Sequence, residues 1–493
     1  MDRNRMWRVS MAALPCCALI SALAVAQPPA IGPVIKVPVP AIQKEISVGP
    51  PSAAAQLTPI FKGGSLLPID LPTALQLANA SNPIVAMARV RVEQAYQRQV
   101  QADVLWLPSL VGGTTYLRHD GLTQNQAGTM LFSNRWSFGV GGGAVLRGDS
   151  SDALFAPLIA RRLTDAQAAQ AQAVANNIGL DAAFAYFDLL DAHARLVIQA
   201  ASLADAEEML RVAEVAEKAG AGKTPADAPR AQTEVRLRRA ERQRLEAHAA
   251  DVSARLVQLL VLDPTVDLVP ADAAVLQLTL MPVNGRLEEL IDLGLQNRPE
   301  VREGRFLADA AQTRYRQAQW DPLLPKFEMG YTGNHFVGGI HDEAQQAAGR
   351  GDGVASIYWE LRNLGAGNIA KVRERRAFLD ESTYNVLEIQ ARVGAEITSA
   401  AKNVLAWERS LNESREAVVS AEETWRRLKA SQFGMTGRDR RYDPLEPLIA
   451  LQQLDAARLR YLENIIGYNK SQFRLFQALG NPLLGAAVPG NPR

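Results

Sequence analysis

One short segment has the residue types of a phosphate-binding loop: Gly222, Lys223 and Thr224. Such a loop has another glycine five positions earlier and follows a strand, so that its backbone amides cradle the phosphate. Glu217 occupies that position, and the preceding sequence predicts a long helix. We therefore interpret Gly222 as a helix-ending glycine and Thr224-Pro225 as the start of the next helix. The segment predicts no nucleotide site, and we expect no cofactor.

The histidines do not have the spacing of metal ligands within a helix. Two of them occupy equivalent places of an internal repeat described below, and we interpret them as polar residues at loop ends. A third precedes two acidic residues and could bind a metal only weakly. The acidic pairs, such as Glu207-Glu208, are expected on helix surfaces. We predict no metal site and no catalytic site, and thus no enzyme. The histidines are His119, His193, His248, His335 and His341.

A charged segment, 437–443, lies between two predicted long helices. It is either a solvated turn or a rim of repeated Arg and Asp that closes a mouth or meets a partner. Together with the break near residue 220, it gives our candidate functional residues, which are predicted to form a gate or docking tip. They are Gly220, Gly222, Asp227, Arg230, Gly434, Arg438, Asp439, Arg440, Arg441 and Asp443.

Composition and the N-terminus restrict the function further. The 493 residues carry a formal net charge of +1, so no global field attracts nucleic acid. Residues 1–26 have the basic, apolar and small-residue regions of a secretory signal; a membrane anchor is the alternative. The two cysteines, Cys16 and Cys17, are poorly placed for lipidation, and cleavage after Ala26 would leave none. A Pro/Ala-rich leader follows at 27–65.

The elements that position the tips are long helices. Apolar residues recur at about 3.5-residue spacing through 155–262, with one break near 220, which predicts two antiparallel coiled-coil arms. A second pair is predicted at 367–479, with its break at 434–447. No predicted helix is long and apolar enough to span a bilayer, so a membrane role would require strands.

The chain contains an internal repeat. Pro83 and Pro299 open equivalent helices, and Pro108 and Pro325 follow them at nearly the same offset, roughly 217 residues. The first repeat is assigned to 66–270 and the second to 286–482. A linker (271–285) and a C-terminal tail (483–493) complete the division.

Each repeat also predicts a β-hairpin, at 109–147 and at 324–361. Apolar residues alternate with polar or small ones: Trp136, Phe138 and Val140 in the first hairpin, and Phe327 and Met329 in the second. Ser109 to His119 forms a weaker strand, and Ile357, Trp359 and Leu361 a further one. Gly121–Ser133 and Gly338–Gly353 are predicted loops. The pattern suits membrane-spanning strands, and a half-buried soluble hairpin is the alternative.

Strands in a bilayer must close into a barrel, because no edge can stay unpaired there. Four strands per chain cannot close alone. Two copies would give about eight strands, with a filled interior, and three about twelve, which begins to leave a channel.

The helical repeat and its hairpins together resemble the TolC-type outer-membrane efflux family. Leu71 to Leu110, Arg286 to Phe327 and Trp359 to Asn368 resemble its helix and strand-to-helix segments, and Asp227–Gln232 and Leu448–Gln453 those after the periplasmic tips. The passage Arg147 to Pro157 departs from the family as a longer strand-to-helix connection. The resemblance implies a mainly α fold with a small β part: a homotrimeric α-barrel tunnel continued by a shared 12-stranded β-barrel.

Two functions follow as hypotheses. The first is a passive duct in the outer membrane, contacting its lipid, with a periplasmic extension that docks a periplasmic adaptor and an inner-membrane transporter for efflux or type I secretion. The second is a non-pore periplasmic coiled-coil adaptor or envelope spacer, which would share the helices and would not require amphipathic strand pairs.

Overall fold

A computed structural model describes residues 65–219, 224–272, 274–283, 286–341, 343–433 and 445–483. The predicted signal peptide, nearly all of the leader and the tail beyond Leu483 lie outside these residues. So do Gly220, Gly222 and the charged second tip from Gly434 to Asp443.

Both repeats follow the same order of two short helices, two strands and two long helices. The first contains α1 (Leu71–Ser81), α2 (Pro83–Asp103), β2 (Ser109–Gln124), β3 (Met130–Asp149), α3 (Ser150–Lys218) and α4 (Asp227–Leu260). The second contains α5 (Leu287–Asn297), α6 (Pro299–Trp320), β5 (Lys326–Ile340), β6 (Glu343–Tyr358), α7 (Ala366–Phe433) and α8 (Leu445–Ala478). At about 1.5 Å per residue, α3 and α7 are each roughly 100 Å long.

Two short strands had no sequence signal strong enough to predict. β1 (Ser65–Ile69) pairs in parallel with β4 (Val266–Pro270), so the start of the first repeat is held to its end. Each strand is only five residues long. Their pairing joins segments some two hundred residues apart, which local periodicity cannot reveal.

The long hairpins are more regular than predicted. The predicted loops Gly121–Ser133 and Gly338–Gly353 are wrong, because β2, β3, β5 and β6 continue through most of them. The first turn needs only 125–129, where the Asn125 side chain accepts from the amides of Ala127 and Thr129. Glycine and polar residues have low strand propensity, and pairing along the neighbouring strand overrides it.

Several boundaries also differ from the predictions. His119 and His335 lie within β2 and β5 rather than at loop ends. β6 ends at Tyr358, since its partner β5 begins at Lys326 and offers no further pairing; Trp359 and Leu361 therefore lie beyond the strand. The extended passage Arg147 to Pro157 is absent, because β3 continues to Asp149 and α3 begins immediately.

The ends of the helices have local causes. Asp149 caps α3 by accepting from the Ser151 amide at 2.9 Å, and Pro157 lies inside that helix. α4 starts at Asp227, slightly later than the predicted Thr224-Pro225, because the Asp227 carboxylate accepts from the Thr224 amide at 2.8 Å. The linker is held against α8: Asn469 and Gln472 bond the backbone of Leu276, Leu278, Leu280 and Met281.

Candidate functional site

The four long strands form one antiparallel sheet in the order β2-β3-β5-β6. Because side chains alternate, the register separates two faces. One face, which we call the apolar face, carries most of the large apolar side chains of the sheet. These are Leu110, Tyr116, Trp136, Phe138, Val140, Leu146, Phe327, Met329, Tyr331, Val337 and Ile357. The opposite, polar face carries Thr115, Arg147, Lys326, Glu328, Asn334, Arg350 and Asp352.

The polar face is crossed by ion pairs. Arg147 on β3 lies directly opposite Glu328 on β5, with a closest N–O distance of 2.6 Å. Arg350 and Asp352 pair along β6 at 2.8 Å. Exposed pairs of this kind each contribute under about 1 kcal/mol to stability. Their significance is that they indicate a face in contact with water.

The sheet ends in two unpaired edges. Within the described residues, β2 pairs only with β3, and β6 only with β5. Both edge strands are exposed almost throughout. A long edge with free N–H and C=O groups is a template for another strand, and in a bilayer it must be paired.

The helices repeat this open order. Beside the sheet, α2 packs on α3, α3 on α6, and α6 on α7. Farther away, α4, α3, α8 and α7 are neighbours in that order. The Asn82 side chain at the start of α2 donates to the carbonyl of Leu259 near the end of α4 at 3.0 Å. α2 thus prolongs α4, and the described long helices form a row of four with an uncovered edge at each end.

The free edges expose apolar side chains. On α2 these are Ile84, Met87 and Val90, each about half exposed. On α7, Tyr384 is 70% exposed and Val419 63% exposed. Exposed apolar side chains on both edges are typical of surfaces that another chain covers.

A buried charged cluster joins the two repeats, and we did not predict it. Arg238 on α4 pairs with Asp455 on α8 and with Glu234 at 2.9 Å, while Ser202 on α3 donates to Asp455 at 2.5 Å. Arg238 and Asp455 are related by the repeat offset. The sequence did contain a sign of this cluster: Arg238 lies one heptad before Leu245, at a position where a coiled coil has an apolar core residue.

Only part of the predicted tip is visible. Asp227 is 4% exposed, and its carboxylate accepts from both the amide and the hydroxyl of Thr224. Arg230 lies 3.8 Å from it and is exposed. The other predicted tip residues lie outside the described chain, so the gate or docking role stays a prediction.

Titratable groups elsewhere have structural explanations. Burial and a hydrogen bond to Asp272 raise the pKa of the Tyr186 phenol. Burial lowers the pKa of His193 on α3, against a hydrogen bond to the backbone of Leu268 that raises it. In the described ranges, no group of three His, Cys, Asp or Glu side chains could hold a metal ion. None of the described helices combines the length and hydropathy of a bilayer span.

Solved structures share this architecture. VceC, an outer membrane protein of Vibrio cholerae, matches with a TM-score of 0.66 and 18% identity over 84% of this chain and 96% of that one. The Campylobacter jejuni CmeC outer membrane channel matches with 0.67 and 14% identity over 90% and 94%. The open state of the Neisseria gonorrhoeae MtrE outer membrane channel matches with 0.65 and 16% identity over 84% and 89%.

No protein-family model matches the chain, and no curated protein matches it in sequence. At these identities, the solved structures establish the fold. The chain has the fold of TolC-type outer-membrane channels, and the resemblance inferred from the sequence is confirmed at that level.

Proposed function

We propose that this chain is the outer-membrane duct of an export system. Three copies close their sheets into one 12-stranded barrel, and their long helices form a periplasmic tunnel. The observation that carries the proposal is the shared order of strands and helices, which leaves matching free edges in both layers. A spacer protein would need neither the apolar face nor the open sheet.

The height of the apolar face supports a place in the bilayer. On β5 this face extends from Phe327 to Val337. At about 3.4 Å per residue and a tilt of about 35–45°, this stretch of strand spans roughly 24–28 Å across the membrane, close to the apolar band of membrane barrels. Trp106, Trp320 and Trp359 are exposed where the strands meet the helices, the place of an interfacial aromatic belt.

The polar face supports three copies rather than two. An interior of about eight strands would be filled by side chains, whereas about twelve leave a water-filled channel. The ion pairs Arg147–Glu328 and Arg350–Asp352 belong on a surface that water reaches. A trimer provides that surface as its lumen.

We call the pairing of β6 with β2 of the next copy the seam, and we propose a register for it. Gly112, Gly142, Gly333 and Gly351 lie directly opposite one another across the four strands. Pairing β6 with the next copy's β2 along their full lengths places Gly351 beside Tyr116 of the partner subunit. This is a stagger of about four residues per chain, which gives a tilt of about 35° over four strands spaced by about 4.8 Å. A stagger of about six gives roughly 47°, outside the usual range.

Disulfide trapping tests the seam. In the derived register, Ser356 on β6 faces Val111 on β2 of the partner subunit, both on the polar face. We expect Val111→Cys with Ser356→Cys to form covalent dimers and trimers on oxidation in outer-membrane fractions. The two cysteines cannot bridge within one copy, because β2 and β6 lie at opposite edges of its sheet.

Two matched variants control this experiment. Leu110→Cys with Ser356→Cys places the thiols on opposite faces, so its chains should stay uncross-linked and run as single chains on a denaturing, non-reducing gel. Gly113→Cys with Ser356→Cys reports the register shifted by about two residues, and a Cβ at Gly113 meets no atom within 4 Å. Equal cross-linking of all three pairs, or a protein that fractionates as a soluble periplasmic monomer, would contradict the proposal.

The partners are part of the proposal. An inner-membrane transporter supplies the energy, and a periplasmic adaptor docks the tips near Asp227 and between Gly434 and Asp443. The system is of the tripartite efflux or type I secretion kind. Co-purification of the tagged full chain after cross-linking in cells, followed by mass spectrometry, should recover an adaptor and a transporter. Recovery that persists after Arg438, Arg440 and Arg441 are all changed to Gln would remove the tip charges from the docking role.

A further inference from the structure

A groove opens where α3, α7 and α8 meet, near the middle of α3 and α7 and toward the C-terminal end of α8. Its volume is about 190 Å³. Its walls mix aromatic, small and cationic residues: Phe184, Ala400, Asn403, Trp407, Gly467, Lys470, Ser471 and Arg474. None of these residues belongs to the seam or to the tips, so the proposed duct does not explain their combination.

Two cations lie over one aromatic ring. The Lys470 ammonium is 5.8 Å and the Arg474 guanidinium 5.5 Å from the centroid of Phe184, and the two residues are one turn apart on α8. Asp188 pairs with Lys470. Arg474 is exposed and has no carboxylate partner in the described part of the chain, so the groove keeps one uncompensated positive charge.

The floor of the groove is flat and apolar. The Trp407 ring lies against the backbone of α8 at Gly467, where an added Cβ would be 2.8 Å from the ring. Only glycine allows this close approach, and any side chain at position 467 would displace the indole. Phe184 and Ala400 complete a surface suited to a planar apolar group.

The rim offers mainly hydrogen-bond donors. Beyond Arg474, the Asn403 amide makes no hydrogen bond within the described residues, and Lys470 retains donors besides the one used by Asp188. The Ser471 hydroxyl already donates to the carbonyl of Tyr468 at 2.7 Å. Donors and positive charge above an apolar floor match a carboxylate attached to a planar apolar body.

The groove and the linker lie on opposite sides of α8. Gly467, Lys470, Ser471 and Arg474 share one face by helical spacing. Asn469 and Gln472, which hold the linker, point to the other side. In the assembly proposed above, a linker inside the ring of helices would obstruct the lumen, so we place the linker outside. The groove, on the opposite side of α8, then faces the lumen.

We propose that this groove binds small organic carboxylates with a planar apolar body and makes them a substrate class of the duct. The lumen assignment rests on the proposed function, whereas binding itself does not. A closed trimer would carry three such sites at one height of the tunnel.

Fluorine NMR of para-fluorobenzoate titrated into the full-length protein in non-ionic detergent tests the proposal. We expect saturable binding, with para-fluorobenzamide about five-fold weaker or more, because the neutral isostere lacks the charge that Arg474 recognises. Arg474→Gln should weaken acid binding by about five-fold. The matched control is Arg460→Gln, which removes the same charge from the same helix at an exposed arginine outside the groove.

The proposal is overturned if acid and amide bind alike, if Arg460→Gln and Arg474→Gln weaken binding equally, or if binding does not saturate. Trp407→Leu gives a second readout: it removes the flat floor and should weaken both ligands together. Circular dichroism and detergent-phase sizing confirm that each variant is folded. A protein that binds the acid but never conducts would support carboxylate binding in the groove and contradict the proposed duct function.

Discussion

The long helices α3 and α7 occupy equivalent places in the two repeats and have opposite surroundings. α3 is flanked by α2, α4, α6 and α8, and its Phe187 is 1% exposed. Among the described helices α7 is flanked by α8, α6 and the short α5, and its Tyr384 is 70% exposed. Duplication supplied two similar elements, and their positions in the row gave one the role of core and the other the role of edge.

The strands show the same division. β3 and β5 are paired on both sides, and β2 and β6 on one. The sheet and the row of helices end at the same two edges of the chain. The neighbour that would pair with the edge strands would therefore also cover the edge helices. The difference between the central and the edge elements therefore argues for closure by further copies of the chain, rather than by a separate covering segment for each layer.

Truncating one phenylalanine on each helix should affect the buried α3 far more than the edge helix α7. Phe187→Ala removes a ring that packs edge-to-face on Phe473 at 5.3 Å, and it should cost about 3–5 kcal/mol in the free energy of unfolding. Phe378→Ala on α7, where the ring is 47% exposed, should cost under about 1 kcal/mol and lower the yield of oligomer instead. Guanidinium titration and detergent-phase sizing measure the two effects. Equal unfolding losses would erase the distinction between core and edge.

The buried cluster between the repeats should be nearly as sensitive. Arg238→Ala leaves Asp455 without its cationic partner in a largely buried site and should destabilise the fold by about 3–5 kcal/mol. The double variant Arg238→Met with Asp455→Leu should recover only part of that loss, since it removes both charges of this pair but leaves Glu234 without Arg238. A double-mutant cycle from chemical denaturation measures the coupling. Purely additive losses would show that the pair does not link the repeats.

The equivalent helices α4 and α8 end differently in the two repeats. The residue after α4 is Val261, at a φ of 56°, whereas Gly480 follows α8 at 81°. Gly480→Ala adds a Cβ 2.7 Å from the carbonyl carbon of Asn297 and should cost about 2–3 kcal/mol. Val261→Gly relieves a left-handed β-branched residue and should gain at most about 1 kcal/mol, after the entropy cost of glycine. Thermal unfolding separates the two, and a loss at both positions would show that Val261 is not strained.

The smallest effect concerns pH. Burial of His193 on α3 lowers its folded-state pKa, so the neutral form is favoured in the fold. The stability that this residue contributes is present above its unfolded pKa of about 6.5 and is lost as pH falls toward the lowered folded value. The difference in unfolding free energy between the wild type and His193→Gln should therefore shrink below about pH 6.5. A difference that grows on acidification would contradict the assigned burial.

The sequence was most informative where a pattern is local or repeated. The periodicity of about 3.5 residues predicted the long helices, and the alternation of apolar with polar or small residues predicted strands in both repeats. The pairing of Ser65–Ile69 with Val266–Pro270 could not be predicted, because such short strands lack a signal and their partners are distant. The groove at Arg474 was missed for the same reason: its residues come from three helices, and each of them looks like an ordinary helix-surface or core residue alone.

Single-channel recording shows whether copies of the chain share one barrel. The purified oligomer, reconstituted in a planar bilayer, should conduct, either spontaneously or once Arg438, Arg440 and Arg441 are neutralised to open a closed tip. Oxidation of the Val111→Cys, Ser356→Cys seam should leave that conductance intact, because the thiols join strands that already pair. A membrane-inserted trimer that never conducts, even with neutral tips, or a conductance abolished by the seam disulfide, would contradict the shared barrel.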